Sequence, residues 1–395
     1  MNNIKLFYFL ILFLVNILSV TYSKRKPLNN IQLDPSNLSS FIGEQFTAKR
    51  KSKLNNKIHI VTITTNDNIS NYNFAINTVQ CYARQYNYNY KLLSANNENK
   101  YTKNCRQSDF MYQRHCILAN YMVSNSNTSD IILFLDADMA VINPNQLLED
   151  YIQKGNEEII FYERMYNHEI MAGSYFIKNN AYGLKFLKNW INYDSQKPKS
   201  FDGSDNASLH NVLIDMFITN NVTKEYENCK KIWKNSKRFN DIRIYVACLR
   251  VILNSNSEKI IDSKNLNSWD NENYSYDKGR IKVIKKLGRR KWARDIWLDY
   301  SNWSPQDFFL HDIKIRNLDT SNFRSWNSPW KNMNFDLKKC DTEKYYENWT
   351  YNPGLLKKRK YMKSQLRDYV FRVDNKFLED VKEGKKLIMQ YKKVN

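Results

Sequence analysis

Ile131-Ile-Leu-Phe-Leu-Asp136-Ala-Asp138 joins five consecutive apolar residues to a pair of acids. An apolar run without polar interruption fits a strand covered on both faces, not one with a wet side. The two carboxylates follow where that strand ends. In extended chain, side chains two apart point the same way, so Asp136 and Asp138 are expected to converge on one point. Open α/β sheets bind ligands beyond the carboxyl ends of their strands. Two hard oxygen donors at such an edge suit Mn²⁺ or Mg²⁺, with substrate phosphates completing the shell. The competing role is a pair of turn or N-cap aspartates ahead of Pro144. Carboxylates held together without a cation repel, which favours the metal.

The flanking sequence supports a sheet. Ile58 to Thr65 is rich in β-branched residues and reads as a buried strand. Ile69, Tyr72, Ala75, Ile76, Val79 and Tyr82 recur at helical spacing between Ile69 and Tyr86. Tyr90 to Leu93 is a short strand and Phe110 to Val123 a helix. This β-α-β-α-β order is that of an α/β open sheet. Glu158 to Tyr162 and Gly173 to Lys178 add strands; Ala181 to Tyr193 and Asp205 to Thr219 add helices. A short helix is expected after Pro144, around Leu147 and Leu148. Residues 221–305 carry short, mixed signals. The last forty residues are helix-prone and basic.

The chain has 395 residues, enough for one large domain or two ordinary ones. With 42% hydrophobic residues and only 9 Gly and 7 Pro, disorder and collagen-like classes are excluded. The net charge of +21 would suit an acidic partner. Nine basic and no acidic residues lie between Lys278 and Arg294, and the tail from Lys331 holds seventeen basic against nine acidic. No RNA- or DNA-binding signature accompanies them, so a solvated basic face is favoured over nucleic-acid binding. One apolar run, Leu6 to Val20, follows Lys5 and precedes the small residues Thr21 and Ser23. It reads as a signal peptide cleaved after Ser23, or as an uncleaved single-pass anchor. Either sends residues 24–56, a polar stem, and the rest of the chain into the secretory pathway.

Sequons at Asn37, Asn68, Asn127, Asn206, Asn221, Asn273, Asn302 and Asn348 suit that route, and predict N-glycans. The six cysteines (Cys81, Cys105, Cys116, Cys229, Cys248, Cys340) form no C-x-x-C pair, so a zinc ribbon has little support. At least one disulfide is expected, with Cys105 and Cys116 not obligatory partners despite their nearness.

Several stretches occur in order: Asp109-Phe-Met-Tyr-Gln-Arg-His-Cys116, Phe134 to Pro144, Met171-Ala-Gly-Ser-Tyr-Phe-Ile-Lys-Asn179, Phe201-Asp-Gly-Ser-Asp-Asn-Ala-Ser-Leu-His210, Lys291-Trp-Ala-Arg-Asp-Ile-Trp297 and Asp307-Phe-Phe-Leu-His-Asp-Ile-Lys314. Together they resemble the nucleotide-diphospho-sugar transferase-like nematode family called domain of unknown function 273. More distantly they resemble retaining galactosyl- and xylosyltransferases of the galactomannan/xyloglucan type. The resemblance implies a GT-A fold: a Rossmann-like open mixed sheet with helices on both faces, spanning 57–330, with a basic helical extension over 331–395.

It also implies a metal-dependent glycosyltransferase acting on a nucleotide-diphospho-sugar donor and a glycan or glycoprotein acceptor in the Golgi lumen or beyond. In the relatives a histidine near the domain end is the third metal ligand and a nearby lysine contacts the diphosphate; here His311 and Lys314 match. Asp312 and Ile313 depart from the usual His-Gly-Trp-Lys, where glycine permits close approach of backbone to phosphate. Asp205 corresponds to an acidic residue beside the reacting sugar, with an N-cap as its structural alternative and Asp202 as a second candidate. Arg114, Gly173, Ser174 and Asn206 are placed with the donor, and Thr62 and Thr64 where base and ribose sit. His115 is given a packing role; His59, His168 and His210 are structural. The rival functions are a catalytically inactive secreted binding protein of the same fold and a polyanion-binding protein.

Overall fold

The computed structural model describes residues 57–125, 130–152, 155–218, 223–258 and 273–393. The expected leader and stem, and the sequons at Asn37, Asn127 and Asn221, lie outside them. Among the described residues, no helix is long and apolar enough to cross a membrane.

The chain starts as the apolar patterning demands. Strand β1 (Ile58–Thr64) is buried at every position. Helix α1 (Ile69–Tyr86) turns Ala75, Ile76, Val79 and Tyr82 inward. Then come β2 (Asn89–Ser94), α2 (Phe110–Ser124) and β3 (Ile131–Leu135). The two-residue β4 (Ala140–Val141) follows, and a single 3₁₀ turn, Leu148–Asp150, stands where a short helix is expected. Next are β5 (Ile159–Tyr162), β6 (Ser174–Lys178), α3 (Ala181–Ile191), α4 (Tyr193–Gln196) and α5 (Ser204–Phe217).

The region of mixed signals resolves into helices α6 (Thr223–Lys234) and α7 (Phe239–Ser255), then strands β7 (Asn273–Tyr276), β8 (Ile281–Ile284) and β9 (Ala293–Asp295); β10 (Phe309–His311) follows it. Helix α8 (Arg359–Lys393) ends the described chain.

Seven strands form one mixed sheet in the order β2-β1-β3-β6-β5-β8-β7, with β3 in its interior. Parallel pairs join β1 to β2 and β3, and β5 to β8; β6 runs antiparallel to β3 and β5. A second sheet, β4-β10-β9, has three short strands. The protein therefore has an α/β fold built on a mixed seven-stranded sheet, with a long C-terminal helix.

Residues beyond 330 pack into the body. Trp330 and Phe335 meet Phe74 of α1 edge to face, and the Tyr351 hydroxyl donates to the Ile142 carbonyl at 2.6 Å. Asp380 of α8 receives His168 at 2.9 Å and Arg243 at 2.6 Å. Several residues of the basic 278–294 run are paired: Lys282 with Glu157, Lys286 with Asp374 and Arg294 with Asp307.

All six cysteines form disulfides: Cys81–Cys340, Cys105–Cys116 and Cys229–Cys248. Cys105 and Cys116 pair, a bond the sequence left open. Helix α2 holds the preceding loop through Gln113 on the Cys105 carbonyl and Asn120 on the Tyr101 carbonyl. That leaves the two Cα atoms 5.6 Å apart, inside disulfide range. Three disulfides suggest an extracellular or lumenal protein. Two sequons are occupied by structure: Asn348 is buried and donates to the Asp336 carbonyl, and Asn206 lies in α5 accepting from the Ala172 amide. Asn348, with its amide nitrogen buried and bonded, cannot carry a glycan in this fold.

The Cys81–Cys340 bond ties α1 to the segment ahead of α8 across 259 residues. Cys340→Ser should lower stability by about 2–5 kcal/mol, chiefly by freeing the unfolded chain. A shift of the urea midpoint read under non-reducing conditions checks this.

Candidate metal centre

The acids following β3 do not lie in extended chain. Residues 137–138 form a turn, closed by the Met139 amide on the Asp136 carbonyl at 3.1 Å. The turn bends the chain from β3 into β4, and this bend points both carboxylates one way. The second sheet then supplies the third group. Leu310 of β10 pairs with Ala140 of β4, so His311 emerges one step beyond, beside the turn. The Ile313 amide closes the contact on the Asp138 carbonyl at 2.9 Å. One donor atom each from Asp136, Asp138 and His311 lie within 4.8 Å of one another. The His311 Nε2 atom stands 3.3 Å from Asp138 and 3.9 Å from Asp136. Two carboxylates and an imidazole converging this closely can hold a divalent cation.

Gly173 makes room for the cluster. The Asp136 amide donates to its carbonyl at 2.8 Å, and a Cβ built on it would fall 1.9 Å from the Asp136 carboxylate. Any side chain here would displace Asp136. Ser174 is fully buried and accepts from the Trp292 indole at 2.8 Å, so its hydroxyl serves packing. Thr62 and Thr64 share one face of β1 and are buried, and Thr64 donates to the Thr65 carbonyl.

Arg114 is not free for a donor phosphate. Its guanidinium bridges Asp136 and Asp205, the latter at 2.6 Å. Asp205 is not an N-cap: it lies one residue inside α5, whose cap position is Gly203, and the Ser204 amide is instead bound by Asp202 at 2.6 Å. The Asp205 carboxylate is wholly buried. Burial works against its ionisation, but Arg114 and His115 outweigh burial and lower its pKa. Asp205 thus reaches the metal cluster only through Arg114.

His115 does more than pack. It stacks on Trp190 at 3.8 Å and bonds Asp205 at 3.0 Å and the Tyr175 hydroxyl at 2.9 Å. Burial pushes its pKa down to about 4, so it is neutral. An ionised Asp205 only accepts, so Nε2 carries the hydrogen and Nδ1 accepts from Tyr175.

Lys314 reaches Asp138 at 2.6 Å and also binds Asp312. Asp312 occupies the place of the expected glycine at φ +69°, the left-handed region that glycine enters without strain. Its carboxylate accepts from the Trp297 indole at 3.1 Å, which helps hold the loop in that conformation.

Asp295 escaped the sequence reading. Strands β9 and β10 run parallel, in a register that sets Asp295 beside His311. The Asp295 carboxylate takes His311 Nδ1 at 2.7 Å and Arg164 at 3.3 Å. A carboxylate behind a ligating imidazole fixes its tautomer and aims the other nitrogen at the metal. The residue lies within the Lys291–Trp297 stretch, but only strand pairing reveals its partner. Tyr72 of α1 was missed as well: burial and then the Asp138 charge raise its phenol pKa.

The electrostatics suit a cation site. Burial raises the Asp136 pKa, and Arg114 offsets this only in part. Burial also opposes ionisation of Asp138, yet His311 and Lys314 hold it well below the usual range. His311 is the converse. Burial disfavours the imidazolium, but Asp138 and then Asp295 raise its pKa from 6.5 to about 10.

A raised folded-state value stabilises the fold fully below about pH 6.5, and that contribution is lost as pH rises through about 10. A cation binding Nε2 must displace that proton. Mn²⁺ binding at pH 7 should therefore release close to one proton, with affinity rising up to about tenfold per pH unit below pH 10. Titration calorimetry in two buffers of different ionisation heat measures this; no released proton would contradict His311 as ligand.

The profile for the family described as protein of unknown function, DUF273, matches residues 79–326. The chain belongs to this family. The DUF273 segment contains Asp136, Asp138, Asp295 and His311, so the whole cluster is family territory. No curated protein matches the chain. The crystal structure of a glycosyltransferase involved in the glycosylation of the major capsid of PBCV-1 is similar at 16% identity and a TM-score of 0.31. That likeness covers 41% of this chain and 75% of that one, and decides neither fold nor function.

Proposed function

We propose that this DUF273 protein is a metal-dependent glycosyltransferase of the secretory pathway, with a GT-A fold, moving a sugar from a nucleotide-diphosphate donor to an acceptor hydroxyl. The observation that carries the reading is the convergence of Asp136, Asp138 and His311 at the carboxyl end of an interior strand. Mn²⁺ or Mg²⁺ bound there would neutralise the leaving diphosphate. This chain's residues do the rest. Asp295 orients His311, and Arg114 holds Asp136 against the buried Asp205. Lys314, beside Asp138, would supply positive charge to a diphosphate held there. Stereochemical retention follows from the distant resemblance alone.

Asp312 favours the second reading, a catalytically inactive binding protein. Its carboxylate competes with any diphosphate for the Lys314 ammonium. Hydrolysis of a panel of UDP- and GDP-sugars with and without Mn²⁺ separates the two. The transferase reading expects metal-dependent hydrolysis of at least one donor, abolished by EDTA and absent in Asp138→Ala. Nucleotide binding without turnover of any donor would support the inactive form.

A further inference from the structure

Phe323 is 81% exposed, yet its ring is not isolated. It meets Trp297 edge-on at 6.2 Å, and Trp297 meets Tyr166 at 5.1 Å. Three separate segments thus contribute one aromatic strip: the excursion between β5 and β6, the turn after β9, and the chain following His311. A guanidinium lies over each end, Arg164 on Tyr166 at 4.5 Å and Arg324 on Phe323 at 5.2 Å. Met165, Leu298 and Val370 form a small core under it, with Leu366 and Tyr369 of α8 packed alongside. The strip is anchored to the metal loop, because Trp297 donates to Asp312, the neighbour of His311. Arg164 also pairs with Asp295 behind His311.

We propose that Tyr166, Trp297 and Phe323 form the acceptor subsite and bind an oligosaccharide chain, an inference that rests on the glycosyltransferase reading. Aromatic rings offer an apolar face to the C–H face of a pyranose. The Arg324 guanidinium at one end is partly exposed and supplies hydrogen bonds for hydroxyls, which an acyl chain or an apolar peptide would leave unused. Continuity with the His311 loop places a bound sugar chain next to the cation site.

The test uses the full chain and fluorescently labelled hexasaccharides of gluco-, xylo-, manno-, galacto- and chito-oligosaccharide type, titrated in EDTA by fluorescence polarisation. The wild type should bind at least one saturably. Phe323→Ala and Tyr166→Ala should each weaken it about tenfold, and Phe323→Trp should retain it. Phe323→Ala should melt like the wild type, since its ring is largely in solvent. If Mn²⁺-dependent UDP binding is absent while hexasaccharide binding persists, the transferase reading falls and the strip stands as a sugar-binding surface. No bound hexasaccharide, or alanine variants that bind as tightly as the wild type, overturns the subsite.

Discussion

Asp138→Ala should weaken Mn²⁺ binding by more than about 100-fold. That exceeds the 10–100-fold range found when only an outer-shell partner of a metal ligand is lost. Nucleoside diphosphate binding that depends on Mn²⁺ should vanish with it. The fold should survive. Asp138 pairs with His311 and Lys314, but each keeps a second carboxylate, Asp295 for His311 and Asp312 for Lys314. Neither cation is left buried without a counter-charge, so the heavy cost of breaking a buried pair does not arise. Electron paramagnetic resonance of free Mn²⁺, with and without UDP, gives the affinity, and circular dichroism the fold. Undiminished Mn²⁺ binding by Asp138→Ala would remove this residue from the site.

Arg114→Leu should have the opposite profile, with a large loss of stability. Arg114 is 4% exposed and is shared between Asp136 and Asp205. Without it, Asp205 keeps only neutral partners, His115 and Asn206, and Asp136 loses the one cation that offsets its burial apart from His311. Removing one partner of a buried pair costs about 3–5 kcal/mol, a large share of the 5–15 kcal/mol typical of a domain. Arg114→Lys should be nearly as harmful, because one ammonium cannot span two carboxylates as a planar fork does. Urea denaturation at pH 7 measures both. Saturating Mn²⁺ should return part of the lost stability to Arg114→Leu, since the cation supplies positive charge opposite Asp136. A variant as stable as the wild type would show that Arg114 is dispensable.

Much of the site was legible because apolar runs and acids are local signals. The Ile131–Leu135 run marked the interior strand, and Asp136 and Asp138 followed from it. His311 was visible only through resemblance, since nothing local distinguishes a histidine after Phe308-Phe309-Leu310 from a core residue. What brings it to the acids is pairing of β10 with the two-residue β4, too short to leave a pattern. Asp295 was hidden for the same reason, as its partner lies across a parallel pair. The inference that the acids lie in extended chain was wrong in mechanism though not in outcome. A turn made by 136–139 does what strand alternation was expected to do. Arg114 and Asp205 were chosen for ligand contact, yet they neutralise one another. Burial decides between those roles, and no spacing rule shows it. The Cys105–Cys116 bond was likewise a matter of loop geometry set by Gln113 and Asn120.

The central claim is that one divalent cation binds among Asp136, Asp138 and His311. Crystals grown with MnCl₂ and UDP, with diffraction recorded at a wavelength where manganese scatters anomalously, test it most directly. The account predicts a single strong anomalous peak about 2.0–2.3 Å from a carboxylate oxygen of Asp136, one of Asp138 and the His311 Nε2 atom, with the Arg114–Asp205 pair still in place behind it. An empty cluster at saturating Mn²⁺, or a peak held elsewhere by other residues, would contradict it.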